Sequence, residues 1–163
     1  MNPVQREETE GGDCDSNHSY CYYQMLYTRR NTMIYNLFIS HSWTYGDAYD
    51  KLTNMLRAKQ DFNYHDYSVP KNDPIHNAPS TCELKKAIEN QMQHASCVLI
   101  MAGVYSTYSK WINIEIEIAK SMNKKIIAIE PRGSVKTSTV VKNAADVIVK
   151  WNIDSIVRAI RGY

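Results

Sequence analysis

Long apolar runs are missing from this sequence. The most apolar stretch, Cys97 to Val104, is far shorter than the roughly 20 residues that cross a bilayer, so no membrane partner is expected. Charge of one sign is missing too: 19 Lys and Arg against 17 Asp and Glu leave a net +2, which gives no general reason to expect nucleic acid as a partner. The four cysteines, Cys14, Cys21, Cys82 and Cys97, form no CxxC pair and have no His at zinc-ligand spacing. Neither a disulfide framework nor a metal site is supported, and a reducing cytoplasm is the simplest compartment. The amino terminus lacks the basic start, apolar run and small-residue cleavage site of a secretion signal. Several enzyme signatures are also absent. No GxGxxG or GxSxG occurs, Gly133 to Thr137 lacks the first glycine of a phosphate loop, and the third strand-like run ends in Met101, Ala102 and Gly103, where a receiver domain needs a carboxylate. Dinucleotide oxidoreductases, serine hydrolases and receivers are set aside on these grounds.

What is present suits one compact domain plus an appendage: 163 residues, 44% hydrophobic and 22% charged, enough to bury a real core. Residues 1–32 have no sustained apolar period. An acidic stretch from Glu7 to Asp15 leads to Tyr20, Tyr22, Tyr23 and Tyr27 and then to Arg29 and Arg30. They are expected to be a poorly ordered extension, and Met33, directly before the first strand-like run, suits a natural start. The extension carries three basic and five acidic side chains, which leaves residues 33–163 mildly basic.

From Met33 onward, strand-like runs alternate with helix-period segments. Ile34 to Ser40 reads as the first strand. Gly46 to Lys59 follows as a helix with Tyr49, Leu52, Met55 and Leu56 on one face, spaced three and four apart. Tyr64 to Val69 is a shorter, more polar strand suited to an edge, and the Pro-rich loop from Pro70 to Ser80 cannot continue it. Ser80 or Thr81 is placed to cap a helix over Cys82 to His94. Ser96 to Ala102 is almost wholly apolar, as a strand covered on both faces should be. A helix over Ser109 to Met122, a strand over Lys125 to Glu130, a short helix over Thr137 to Asn143, a strand over Asp146 to Val149 and a helix over Asn152 to Ile160 complete the pattern. Parallel strands need crossover helices, so the expected fold is α/β: a flavodoxin-like, doubly wound parallel five-stranded sheet in the order 2-1-3-4-5. In such sheets ligands bind beyond the carboxyl ends of strands 1 and 3, where strand order reverses. The segments to search are therefore Ser40 to Tyr45 and Gly103 to Glu117.

The first segment, Ser40-His41-Ser42-Trp43-Thr44-Tyr45-Gly46-Asp47, offers hydroxyls and a helix amino terminus for a phosphate and aromatic rings for stacking. Asp47 serves equally as a plain helix cap, and His41 has no carboxylate partner identifiable in sequence. The second segment runs from Tyr105 to Glu117. Trp111, Glu115 and Ile118 fall on one stripe of its helix at spacings of four and three. The Ile residues at 112, 114, 116 and 118 are spread around the same helix, so a carboxylate on it is not simply on a solvated face. Glu115 is then either a functional cleft carboxylate or one held by the helix dipole, Lys110 or Arg57.

Together these residues resemble the Toll/interleukin-1 receptor (TIR) domain, and more closely the TIR-like branch of bacterial antiphage systems such as Thoeris. The resemblance spans residues 34–160. YNLFISHSW at Tyr35 to Trp43 is similar to the family's first-strand box. SKWINIEIEIA at Ser109 to Ala119 resembles the helix that carries the family's Trp and, four residues on, its catalytic Glu, here Trp111 and Glu115. Val149-Lys150-Trp151 is a weaker match to the carboxyl-terminal aromatic box. Ser68 to Pro74 lacks the Arg-Asp and Pro-Gly signature of receptor TIR domains, and Ile112 stands where receptor forms commonly have Cys. Both departures favour the bacterial branch.

The resemblance implies cleavage of the nicotinamide–ribose bond of NAD, which is substrate and not cofactor; no cofactor or metal is implied. Glu115 would be catalytic, and Ser40, His41, Ser42, Trp43, Asp47, Tyr105 and Trp111 would bind substrate. A cyclic ADP-ribose-type product and a separate effector that responds to it follow from the same resemblance, which leaves a homo-oligomer open; the cytoplasmic site of action is the one that the cysteines suggest. The alternative is a non-catalytic TIR-type module that binds another protein.

Overall fold

The computed structural model describes residues 33–40, 46–69, 81–103, 110–132 and 138–162. The chain divides into two units, Met1–Thr32 and Met33–Tyr163, and every described residue belongs to the second. The expected amino-terminal extension and the loop from Pro70 to Ser80 lie outside the described residues.

Among the described residues, strands and helices alternate as β1 (Ile34–Ser40), α1 (Gly46–Ala58), β2 (Asn63–Asp66), α2 (Thr81–Met92), β3 (Cys97–Met101), α3 (Lys110–Ser121), β4 (Lys125–Glu130), α4 (Thr139–Ala144), β5 (Val147–Lys150) and α5 (Ile153–Arg161). The strands form one sheet in the order β2-β1-β3-β4-β5, with every adjacent pair parallel. This is the doubly wound α/β architecture that the alternation predicts. Its register aligns Ser40 of β1 with Ile100 of β3 and Ile100 with Ala128 of β4, which sets the level of the carboxyl ends.

Successive side chains of a strand face opposite ways, and here both directions are buried. Leu37, Ile39, Leu99, Ile127 and Ile129 enter one core with Leu52 and Leu56 of α1 and Ile156 and Val157 of α5. Phe38, Val98, Ile100, Ile126 and Ala128 enter the other, with Leu84 and Ile88 of α2, Ile112 and Ile116 of α3, and Val141 of α4. That is why β3 and β4 read as unbroken apolar runs. Each large side chain so buried contributes about 1.5–3 kcal/mol relative to exposure, and these two layers hold the carboxyl ends of the strands in place.

The polar ends of the elements are satisfied locally. The Asn152 side chain caps α5 by accepting from the backbone N–H groups of Asp154 at 3.0 Å and Ser155 at 3.1 Å. Gly162 closes the same helix at φ 93°, in the left-handed region that glycine tolerates best. The Asp146 carboxylate accepts from the Ile126 N–H at 2.7 Å and ties the approach to β5 to the start of β4.

One expectation needs correction. The second strand, expected over Tyr64 to Val69, ends at Asp66. The Asp66 carboxylate accepts from the Ser68 N–H at 2.9 Å, an Asx-type turn that draws the chain out of the ladder. Ser68 Oγ then takes the Ile39 N–H at 2.9 Å in place of a backbone carbonyl. Asp47, the alternative helix cap, lies in the first turn of α1. Helix α1 already includes Gly46, and the Asp47 carboxylate pairs with Lys51 one turn later at 2.8 Å. Other element ends differ from expectation by two residues or fewer, within the usual fraying of such boundaries.

Candidate active site

Helix α3 carries a carboxylate where its own periodicity calls for an apolar residue. Ile112, Glu115, Ile116 and Ala119 recur at spacings of three and four and are all buried, whereas Trp111, Asn113, Glu117 and Lys120 are exposed. Glu115 therefore points inward. Its exposure is 8%, against 68% for the Glu117 side chain.

The strand opposite supplies its partner. Phe38 faces α2 and α3, so by alternation Ser40, two residues on, faces the same way. The Ser40 hydroxyl, 1% exposed, donates a short hydrogen bond to Glu115 Oε2. Residues 75 positions apart in sequence are thus joined at the carboxyl end of β1, the place where an open α/β sheet of this order binds ligands. No described residue bonds to the other carboxylate oxygen, Oε1.

Burial pushes the Glu115 carboxyl up to about 7, and the hydrogen bond from Ser40 offsets that only in part. Neither Lys110 nor Arg57 pairs with it. The helix dipole is also a small influence, because Glu115 is the sixth residue of α3 and the dipole's effect falls off within the first turn. What remains is a carboxyl poised near neutral pH with one oxygen fixed by Ser40 and the other unpartnered among the described residues. Such a group can accept hydrogen bonds from ribose hydroxyls, stabilise a developing cation, or exchange a proton near pH 7.

Glu117 behaves differently. It lies about 200° around the helix from Glu115, and its carboxylate sits 3.5 Å from Lys85 Nζ on the surface. Trp111, one turn before Glu115 on α3, is 37% exposed, an open ring beside the start of the helix. Asp47 is on the opposite side of the sheet, because α1 packs on the Leu37 and Ile39 face. Of the expected substrate-binding residues the structure joins Ser40 to Glu115 and leaves Asp47 apart. His41, Ser42, Trp43 and Tyr105 lie outside the described residues. Among the described residues no group of three His, Cys, Asp or Glu side chains converges as metal ligands do. No described helix is long and apolar enough to cross a membrane.

The Ser40–Glu115 bond itself was not legible from local pattern, since it needs the register of β1 against the phase of α3. The signal that pointed towards it was an acidic residue in step with a buried isoleucine stripe. Lys51, Arg132 and Trp151, which no local pattern connects, line a cavity at the far side of the sheet's carboxyl edge.

No curated protein matches the chain significantly. Among solved structures it is similar to a CMP N-glycosidase of Clostridium botulinum, BcmB, at TM-score 0.47 and 15% identity, covering 77% of this chain and 98% of that one. It is likewise similar to a prokaryotic SEFIR domain at TM-score 0.45 and 21% identity, covering 77% of this chain and 96% of that one. Residues 38–136, which include the end of β1, all of α3 and the Ser40–Glu115 pair, match the TIR-like domain of the Thoeris protein ThsB. With more than half of its length in that match, and with the five-stranded parallel sheet to go with it, the chain belongs to the TIR-like domain family of Thoeris ThsB.

Proposed function

We propose that this chain cleaves NAD between nicotinamide and ribose, with Glu115 as the catalytic carboxylate and Ser40 as the residue that positions it. The observation that carries the reading is the buried, near-neutral Glu115 carboxyl held by Ser40 at the carboxyl end of β1. Membership of the Thoeris ThsB TIR-like family agrees with it.

The chemistry asks little of the protein beyond this. Nicotinamide in NAD carries a positive charge and leaves as a neutral ring, taking the electron pair of the glycosidic bond. The ribose is left as an oxocarbenium-like cation. A carboxylate beside it stabilises that charge and accepts hydrogen bonds from the ribose hydroxyls, as in glycoside hydrolysis. Oε1 is the oxygen with capacity to spare. Trp111 is placed one helical turn away to border a ring, and Ser42, Trp43 and Tyr105 belong to the segments that would complete the pocket. Capture of the cation by water yields linear ADP-ribose and one proton. Capture by a hydroxyl of the adenosine half closes a ring and also releases one proton. We favour the cyclic product, made in the cytoplasm as a signal for a separate effector, with NAD consumed as substrate and no cofactor required.

The test is chromatography of the nucleotides formed when the protein is incubated with NAD. Nicotinamide with a cyclised ADP-ribose isomer supports the full reading. Nicotinamide with only linear ADP-ribose leaves a simple NAD hydrolase. Intact NAD under triggering conditions removes the enzymatic reading and favours a protein-binding module.

A further inference from the structure

The carboxyl edge of the sheet has a second concavity, on the face opposite Glu115. It has a volume of about 460 Å³ and lies between the first turns of α1 and the residues that directly follow β4 and β5. We propose that this cavity is a nucleotide-binding site separate from the Ser40–Glu115 pair, with Trp151 stacking on the base and Arg132 and Lys51 holding the phosphate.

Three independent observations converge there. The first is size and place. The volume falls within the range of about 300–1,000 Å³ usual for small-ligand pockets, and the position outside strand carboxyl ends is where open α/β sheets bind ligands. The second is the aromatic wall. Trp151 packs against the core shared by α1 and α5 yet still lines the cavity, and Met55 lines it too as an adaptable apolar contact. A half-buried indole held in this way is a stacking platform for a purine or pyrimidine. The third is the charge. Arg132 and Lys51 both line the cavity. Among the described residues no carboxylate pairs with Arg132, so none of them competes with a phosphate for its planar guanidinium.

The nearby acids do not cancel this. Glu130, two residues before Arg132, is already held by Lys142 at 2.6 Å and Lys150 at 2.5 Å. Asp47 pairs with Lys51, but both side chains are mostly exposed, at 69% and 68%, and exposed pairs of this kind re-partner at little cost. A carboxylate at the rim is also what a ribose diol needs as acceptor. The α1 amino terminus, from a helix of 13 residues, adds backbone N–H groups on the same side. An aromatic base, a diol and a phosphate are thus each met by a group suited to it, which singles out a nucleotide over a bare anion or an apolar ligand. The site does not depend on Glu115 being catalytic.

The test is titration calorimetry of the full chain with AMP, adenosine and inorganic phosphate, on the parent and on Arg132→Gln, Lys51→Gln and Glu115→Gln, with thermal melts to confirm that each is folded. The proposal expects one AMP per chain, at least tenfold weaker binding in Arg132→Gln and Lys51→Gln, and less than a twofold change in Glu115→Gln. Adenosine should bind more weakly than AMP and be insensitive to Arg132→Gln. The proposal is overturned if AMP does not bind at millimolar concentration, if Arg132→Gln and Lys51→Gln bind it as the parent does, or if inorganic phosphate binds as tightly as AMP. A loss in Glu115→Gln equal to that in Arg132→Gln would put the nucleotide at the catalytic pair and overturn a separate site. Because the readout is binding and not turnover, failure here leaves NAD cleavage standing, and the reverse holds as well.

Discussion

Replacing Glu115 by Gln should make the protein more resistant to unfolding as pH rises. In the folded chain the Glu115 carboxyl is raised by burial from 4.5 to about 7, while in the unfolded chain it titrates as an ordinary carboxyl. Between those values the folded state keeps a proton that the unfolded state has lost. The stability contributed by the protonated form is therefore complete below about pH 4.5 and lost as pH rises through about 7. At about 1.4 kcal/mol for each tenfold change in the ionisation constant, the loss is on the order of 3 kcal/mol. Gln keeps the acceptor for the Ser40 hydroxyl and removes the titration, though its amide brings donors that also need partners. The difference in unfolding free energy, variant minus parent, should accordingly grow by about 3 kcal/mol between pH 4 and pH 8, whatever its value at either end. Urea unfolding followed by circular dichroism at pH 4, 6 and 8 measures it, with Glu117→Gln on the exposed face expected to track the parent throughout. A difference that stays flat with pH would refute the argument that Glu115 is ionised against the cost of burial.

Three further outcomes are expected. Ser40→Ala removes the hydrogen bond that holds the Glu115 carboxyl down, so the midpoint of the pH–rate profile for nicotinamide release should move above its parent value near 7; an unchanged profile would show that Ser40 does not act through Glu115. Cys97 is 2% exposed and its thiol is pushed up to about 11 by burial, so alkylation at pH 7.5 followed by mass mapping should leave it unlabelled in the folded protein while exposed Cys82 reacts. A chain starting at Met33 should fold with a melting temperature within about 5 °C of the full chain, since a shift of that size corresponds to roughly 1 kcal/mol or somewhat more; a larger fall would show that residues 1–32 support the core.

Much of this architecture can be read from local pattern because each element obeys one rule. The run Ile126 to Ile129 is buried on both faces and reads as a central strand. Leu52 and Leu56, one turn apart, mark the buried face of α1, and the bounds of β4 coincide with the expected KIIAIE segment. Where a side chain overrides the backbone pattern, local reading fails. β2 ends early because Asp66 turns the chain and Ser68 replaces a ladder partner, which no alternation of apolar residues encodes. The candidate site divides in the same way. That Glu115 turns inward follows from its step with Ile112 and Ile116, but its bond to Ser40 depends on how β1 and α3 meet across 75 residues. The cavity between α1, Arg132 and Trp151 is not legible locally for the same reason, since its walls come from the segments that follow three different strands, β1, β4 and β5.

The most direct test of the central claim compares two carboxylates on one helix. Steady-state rates of nicotinamide release from NAD should fall by about a hundredfold to a thousandfold in Glu115→Gln, the cost of losing an electrostatic contribution of a few kcal/mol in the transition state. Glu117→Gln, which alters only a surface pair with Lys85, should keep most of the parent rate. The reverse ranking, or equal rates for both variants and the parent, would contradict the assignment of Glu115 as the catalytic residue.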